Sequence, residues 1–213
     1  MGLGRFIHYV GAFFLLAATV MLVVVSITAP VVNDIALLKV RASGYGVNYG
    51  TFGYCVMRSG RSDSCTGSHI GYDPTNAIPN TDISNLGSDT AKALTYVMVL
   101  HPIGAGLCFI AFLLALGAGI FGSLMSTLVS ILAFIVTIVA LACDFAGFAI
   151  IRRRINKDTT ASASWSVGIW LVLAAAILCL IGMITVFITC CSGRRRKSRE
   201  QKKMAAYNTS PTL

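Results

Sequence analysis

Residues 93–151 read ALTYVMVLHPIGAGLCFIAFLLALGAGIFGSLMSTLVSILAFIVTIVALACDFAGFAII, and their reading decides the fold. The run contains a single formal charge, Asp144. As one helix it would be about 88 Å long at the usual rise of about 1.5 Å per residue, whereas a bilayer core of about 30 Å needs roughly 20 helical residues. It must therefore fold back on itself. The turn is expected at the small and helix-weakening cluster Gly117, Gly119, Gly122, Ser123 and Ser126, which gives two spans, 93–119 and 124–151, joined by a very short turn.

Working outward, two further apolar stretches of spanning length occupy 6–29 and 166–191. In lipid the backbone must satisfy its own hydrogen bonds, so each stretch is expected to be a helix, and the fold class is an all-α membrane protein with four spans. The expected division is a membrane domain over 1–191, including a long polar loop over 30–92, followed by a basic tail over 192–213. Composition agrees, with 56% hydrophobic and 12% charged residues, against about 25% charged in an average soluble domain. The first stretch could instead be a cleaved signal peptide, since Arg5 precedes it and small residues follow near Ser26 and Ala29. Its apolar core, however, exceeds the roughly 7–15 residues of a signal peptide. Met1-Gly2 invites myristoylation, but Phe6 stands where Ser or Thr is expected.

An even number of spans places both termini on one side. Arg5 and seven basic tail residues lie there. Lys39, Arg41, Arg58, Arg61, Lys92, Arg152, Arg153, Arg154 and Lys157 lie on the other. These totals nearly balance, so the density of charge beside a span decides, and Arg194-Arg195-Arg196-Lys197-Ser198-Arg199 is the densest block. A cytosolic tail would also meet anionic lipid, each basic residue near that surface contributing about 1 kcal/mol. Both termini are therefore expected in the cytosol.

Of the seven cysteines, Cys108, Cys143 and Cys179 fall within spans, Cys190 and Cys191 end the fourth, and Cys55 and Cys65 lie in the polar loop. An extracytoplasmic loop is oxidising, so Cys55 and Cys65 are expected to form a disulfide worth about 2.7 kcal/mol in the chain-entropy picture. Two free thiols are the alternative. The intramembrane cysteines read as small packing residues, while Cys190 and Cys191, beside the basic block, are palmitoylation candidates. The first half of the loop, Gly44 to Met57, mixes aromatic and β-branched residues with glycines and predicts short strands with tight turns. The second half, Gly71 to Asp82, is rich in turn formers and reads as irregular. Basic and acidic residues cancel in this loop, and nothing in it resembles a surface for nucleic acid.

Asp144 is the most informative residue inside a span, because a carboxylate at depth costs about 2.5–3.5 kcal/mol on insertion scales and needs a partner or water. It is either a proton-sensitive switch or one half of a structural hydrogen bond or ion pair. His101 precedes Pro102, and the proline removes a backbone donor and is expected to kink the second span. His69 in the loop would titrate near pH 6.5 if unperturbed, so it is either a reporter of ambient pH or an ordinary surface residue. His8 is expected at the interface, and the three scattered histidines show no close cysteine or carboxylate partner in sequence, which argues against a metal site. Ser198 follows Arg195-Arg196-Lys197 as a basophilic kinase substrate would, and phosphate there would weaken membrane contact. Asn208-Thr209-Ser210 is a formal glycosylation sequon on the side expected to be cytosolic. No catalytic triad, phosphate-cradling loop, HExxH or paired carboxylates occur, so no enzyme and no cofactor are expected. Small residues such as Ala115, Gly119, Gly168 and Gly182 let helices approach closely, either within the bundle or against a partner.

The loop motif Phe52-Gly53-Tyr54-Cys55, with Cys65 and then Gly71-Tyr72 behind it, resembles the claudin-like four-span proteins of fungi. Within that group His101-Pro102-Ile103-Gly104-Ala105-Gly106 is similar to the His-Pro-Ile-Ala pattern of PalI-type pH-response regulators. Asp144 ahead of an arginine-rich short loop fits as well. The resemblance covers about Met1 to Cys191. It implies a claudin-like four-helix bundle with a small disulfide-stapled extracellular β-sheet, in the plasma membrane. It also implies an accessory role for a polytopic ambient-pH sensor. Relatives at fungal cortical patches share this plan, so an organiser of plasma-membrane domains and wall integrity is the alternative, and a channel or transporter subunit a further one. The partners implied are membrane lipids and a polytopic membrane protein or a second copy. Animal claudins carry Gly-Leu-Trp before their cysteines, a pattern this loop lacks, and PalI proteins often carry a long hydrophilic tail where 22 residues follow Cys191 here.

Overall fold

A computed structural model describes residues 3–32, 34–60, 62–77, 85–117, 120–158 and 160–208. Four helices in it are long and apolar enough to cross a membrane: Phe6–Ser26, Lys92–Leu116, Gly122–Lys157 and Val167–Ser192. The first belongs to α1 (Leu3–Ser26), the second to α2 (Asn85–Val97) and α3 (Leu100–Leu116), the third to α4 (Ile120–Asp158) and the fourth to α5 (Val167–Asn208). Helices α1 and α3, α3 and α4, α4 and α5, and α5 and α1 pack as neighbours, which closes a four-helix ring. The expected hairpin is a short connection between Leu116 and Ile120, where the extended backbone of Gly117 ends α3. Gly119 lies outside the described residues.

Pro102 explains why the second span is divided. In an uninterrupted helix residue 102 would donate its N–H to the carbonyl of Met98, and proline has none to give. The chain leaves α2 after Val97 and re-enters α3 at Leu100, joined by the looser bonds Met98 N–H to Thr95 O at 3.3 Å and Val99 N–H to Tyr96 O at 3.5 Å. Pro102 itself sits in the first turn of α3, where a missing N–H costs least.

The loop between the first two spans builds a sheet from β1 (Leu38–Ala42), β2 (Tyr45–Tyr49), β3 (Tyr54–Arg58) and β4 (Ser64–Cys65). A fifth strand, β5 (Ser162–Trp165), comes from the connection between α4 and α5 and pairs antiparallel with β1, giving the order β4-β3-β2-β1-β5. The sequence reading placed the sheet in the first loop alone. Four residues SASW carry too little alternation to announce a strand, and β5 exists because α4 continues past Arg152-Arg153-Arg154 to Asp158 and delivers it to the sheet edge. Asn156 on that extension fixes β5 by accepting the Ala163 N–H at 2.7 Å, and the Arg152 guanidinium lies 5.7 Å above the Trp165 ring. The second half of the loop contributes a 3-10 turn at Pro74–Ala77, and residues 78–84 lie outside the described ones.

Two buried clusters hold the molecule together. One lies where the sheet meets the bundle and joins Leu37, Val40, Tyr49, Tyr72, Met98, Phe148, Ile155 and Val172. The other lies deeper and is made largely of small side chains, among them Ala18, Ala105, Cys108, Ala111, Ala133, Ala175 and Cys179. Small residues suit this place because lipid gives helices no hydrophobic reason to associate, so close backbone packing must do so. Gly182 on α5 shows this directly: an added Cβ would stand 2.9 Å from Leu15 Cγ and 3.1 Å from the Gly11 carbonyl on α1. Gly168 and Ala115 likewise face the protein interior.

Candidate functional site

The loop motif residues converge on the junction between sheet and bundle. Cys55 on β3 and Cys65 on β4 face each other in register and are joined by a disulfide. Between β2 and β3, Gly50 and Gly53 form a tight turn, with Gly50 N–H donating to Gly53 O at 2.9 Å. Neither glycine has room for a side chain: a Cβ on Gly50 would overlap the Ala29 carbonyl, and one on Gly53 the Thr66 hydroxyl. Phe52 in that turn accepts the His69 N–H through its carbonyl. Gly71 adopts a positive φ of 74° under the ring of Tyr96, a place that only glycine fills without strain.

Three tyrosines follow from this. Tyr49, Tyr54 and Tyr72 pack in a row of mutually tilted rings with centroids 5.9 and 6.1 Å apart, and Tyr49 reaches Phe148 on α4 at 6.5 Å. The Tyr49 hydroxyl donates to Pro74 O at 2.9 Å and that of Tyr72 to Gly50 O at 2.8 Å. Burial pushes both phenols well above their ordinary range, and the Asp144 charge adds to the effect at Tyr72. Partial burial, with help from Asp73, raises Tyr54 as well. The buried hydroxyls therefore remain donors throughout the neutral range.

Directly beneath lies the ionisable pair. His101 Nε2 on α3 stands 2.9 Å from Asp144 Oδ2 on α4, with the side chains 0% and 1% exposed. The other ring nitrogen, Nδ1, stands 2.9 Å from the Met98 carbonyl, which receives no N–H from Pro102 and also accepts the His101 backbone N–H at 3.1 Å. A carbonyl can only accept, so Nδ1 carries a proton and the ring is oriented with Nε2 towards the carboxylate. The carboxylate partner that sequence proximity does not show for the histidines is present in space at His101, because the two residues are 43 positions apart and only the helix hairpin joins them. Thr95 completes the arrangement: its hydroxyl lies 2.8 Å from Tyr72 O and 2.7 Å from Lys92 O, tying α2 to the loop above.

The remaining candidates are dispersed. His69 is exposed, with Nδ1 2.7 Å from Gly67 O. His8 was expected at the interface. It is half-buried at the opposite end of the bundle, 2.8 Å from the Ala115 carbonyl and 3.0 Å from the Thr189 hydroxyl, and so links α1, α3 and α5. Cys190 is buried and Cys191 exposed at the end of the fourth span. Ser198 lies on the part of α5 beyond that span, and its side chain is outside the described ones. The sequon ends outside the described residues. The thiols of Cys108 and Cys179, which sequence alone did not bring together, meet at 3.7 Å in the deeper cluster.

Comparison with known proteins places this arrangement among relatives. The model of the SUR7/PalI family matches residues 7–182. A pH-response regulator protein palI/RIM9 of Emericella nidulans is 32% identical over 196 residues, covering 88% of this chain and 32% of the relative. A palI/RIM9 protein of Pyricularia oryzae is 27% identical over 200 residues, with 89% and 24% covered. The Saccharomyces cerevisiae palI/RIM9 protein is 34% identical over 91 residues, or 42% and 36%. The chain thus spans about a third or less of the length of the first two relatives.

Proposed function

Because the chain belongs to the SUR7/PalI family, we propose that it is a non-catalytic accessory protein of the plasma membrane that helps a polytopic ambient-pH sensor reach or remain at the cell surface. It is a multi-pass membrane protein. In this reading both termini are cytosolic and the disulfide-stapled sheet is extracellular. The observation that carries it is the match to a named pH-response regulator over 88% of this chain, together with the family match over residues 7–182, which takes in the sheet and reaches into all four spans.

Two features of α5 suit regulation at the inner surface. Cys191 is exposed where the span ends, which favours it over the buried Cys190 as an acyl acceptor. Beyond it the helix carries the basic block and Ser198, a place where anionic lipid would hold the tail and phosphate would release it.

Deleting the gene and comparing growth at alkaline pH with growth under wall stress tests this reading, together with co-purification of a polytopic partner. Selective alkaline sensitivity and a co-purifying multi-span protein are expected. Wall defects with normal alkaline growth would point to an organiser of the cell cortex instead.

A further inference from the structure

We propose that the proton held between His101 and Asp144 is a latch that fixes the α2–α3 joint against α4, and that removing it at alkaline pH frees α2 and the loop it carries.

Nδ1–H is committed to the Met98 carbonyl, which accepts both it and the His101 backbone N–H, the latter at 3.1 Å. Nε2 and Oδ2 at 2.9 Å therefore need one proton between them, whichever atom holds it more closely. With that proton the pair is neutral overall. Without it two lone pairs face each other and a net negative charge remains in a site closed to water, which is among the costliest arrangements a protein interior can hold. Separation of the two side chains is the relief.

From the loop above, Tyr72 is within electrostatic reach of Asp144, and its hydroxyl is occupied by Gly50 O. On α4 the neighbouring titratable group is Cys143. Helices α1 and α5 bring Val25, Val172 and Ala176 to this level, none of them titratable.

The mechanical consequence follows from the joint. His101 is the second residue of α3, and the two residues before α3 lie outside both helices, held by long backbone bonds of 3.3 and 3.5 Å. Helix α2 packs on α4 through Leu94 beside Gly147 and is tied to the loop through Thr95 and Tyr96. When the latch opens, α2 can swing about Met98 and Val99 and take the Gly71-Tyr72 segment with it. The latch is a property of this chain alone, so it goes beyond the accessory role and does not depend on any partner.

The test is hydrogen–deuterium exchange of the full chain in lipid nanodiscs, corrected for the intrinsic effect of pH, at about pH 6 and about pH 9. Exchange over 94–103 is expected to accelerate about tenfold while 169–180 in α5 stays constant. Asp144→Asn keeps the geometry, its amide N–H donating to Nε2, but has no proton to lose, so its 94–103 segment is expected to stay protected at both pH values. An unchanged wild-type segment, equal acceleration of both segments, or acceleration in D144N equal to wild type overturns the proposal. If D144N does not fold, the two wild-type segments still decide. No partner is present, so failure here leaves the accessory reading to its own genetic test.

Discussion

Asp144 meets His101 across the α3–α4 hairpin at 2.9 Å, and the ring is clamped between that carboxylate and the Met98 carbonyl. A single proline creates the second half of the clamp by withholding a donor one residue further on. Local backbone chemistry thus fixes which imidazole nitrogen points at the acid.

Separating that pair should be costly and the cost should be shared. His101→Ala leaves a buried carboxylate without its donor and is expected to lose about 3 kcal/mol, in line with broken buried pairs elsewhere. Asp144→Ala should cost a similar amount, while the double variant should lose clearly less than the sum. A double-mutant cycle on unfolding in mixed micelles checks this, and additive losses would mean that the contact contributes nothing of its own.

The Cys55–Cys65 bridge closes a loop with a sequence separation of 10. Replacing both by Ser is expected to remove about 2.7 kcal/mol, the chain-entropy value for such a loop. Thermal unfolding with and without reductant measures it. Reductant should lower the midpoint of the natural chain and leave the double Ser variant where it is.

Two glycines in spans should respond in opposite ways to alanine. Gly182 has Leu15 Cγ 2.9 Å from the place a Cβ would take, so Gly182→Ala should destabilise by about 1–3 kcal/mol through overpacking of α1 on α5. Gly106 has nothing within 4 Å, and Gly106→Ala should gain up to about 1 kcal/mol from helix propensity. Comparing midpoints of the two variants decides, and a loss at Gly106 equal to that at Gly182 would contradict the packing described here.

The buried phenols set an alkaline limit. Tyr49 and Tyr72 bind their protons more tightly folded than unfolded because burial disfavours the phenolate. Their contribution is complete below the unfolded value of about 10 and is lost as pH rises above it. Absorbance titration should show these two ionising only together with unfolding. Tyr72→Phe, which gives up the bond to Gly50 O, should cost about 1 kcal/mol at neutral pH.

Much of the fold was legible because the constraints are local or additive. Four apolar runs of bilayer length, the glycine and serine cluster at the hairpin, the strand-forming half of the loop and its cysteine pair each announce themselves within a few tens of residues. The fifth strand was not legible, since Ser162–Trp165 becomes a strand only when β1 lies beside it.

The candidate site divides in the same way. From sequence, Asp144 demanded a partner and Pro102 demanded a break, for reasons of lipid desolvation and a missing N–H. Which group answers Asp144 depended on the rotation of two helices about their axes. A hydrophobicity pattern that is apolar all round does not specify that rotation. Packing of small residues in the bundle and docking of the sheet onto its end settled it, and so joined residues 43 positions apart.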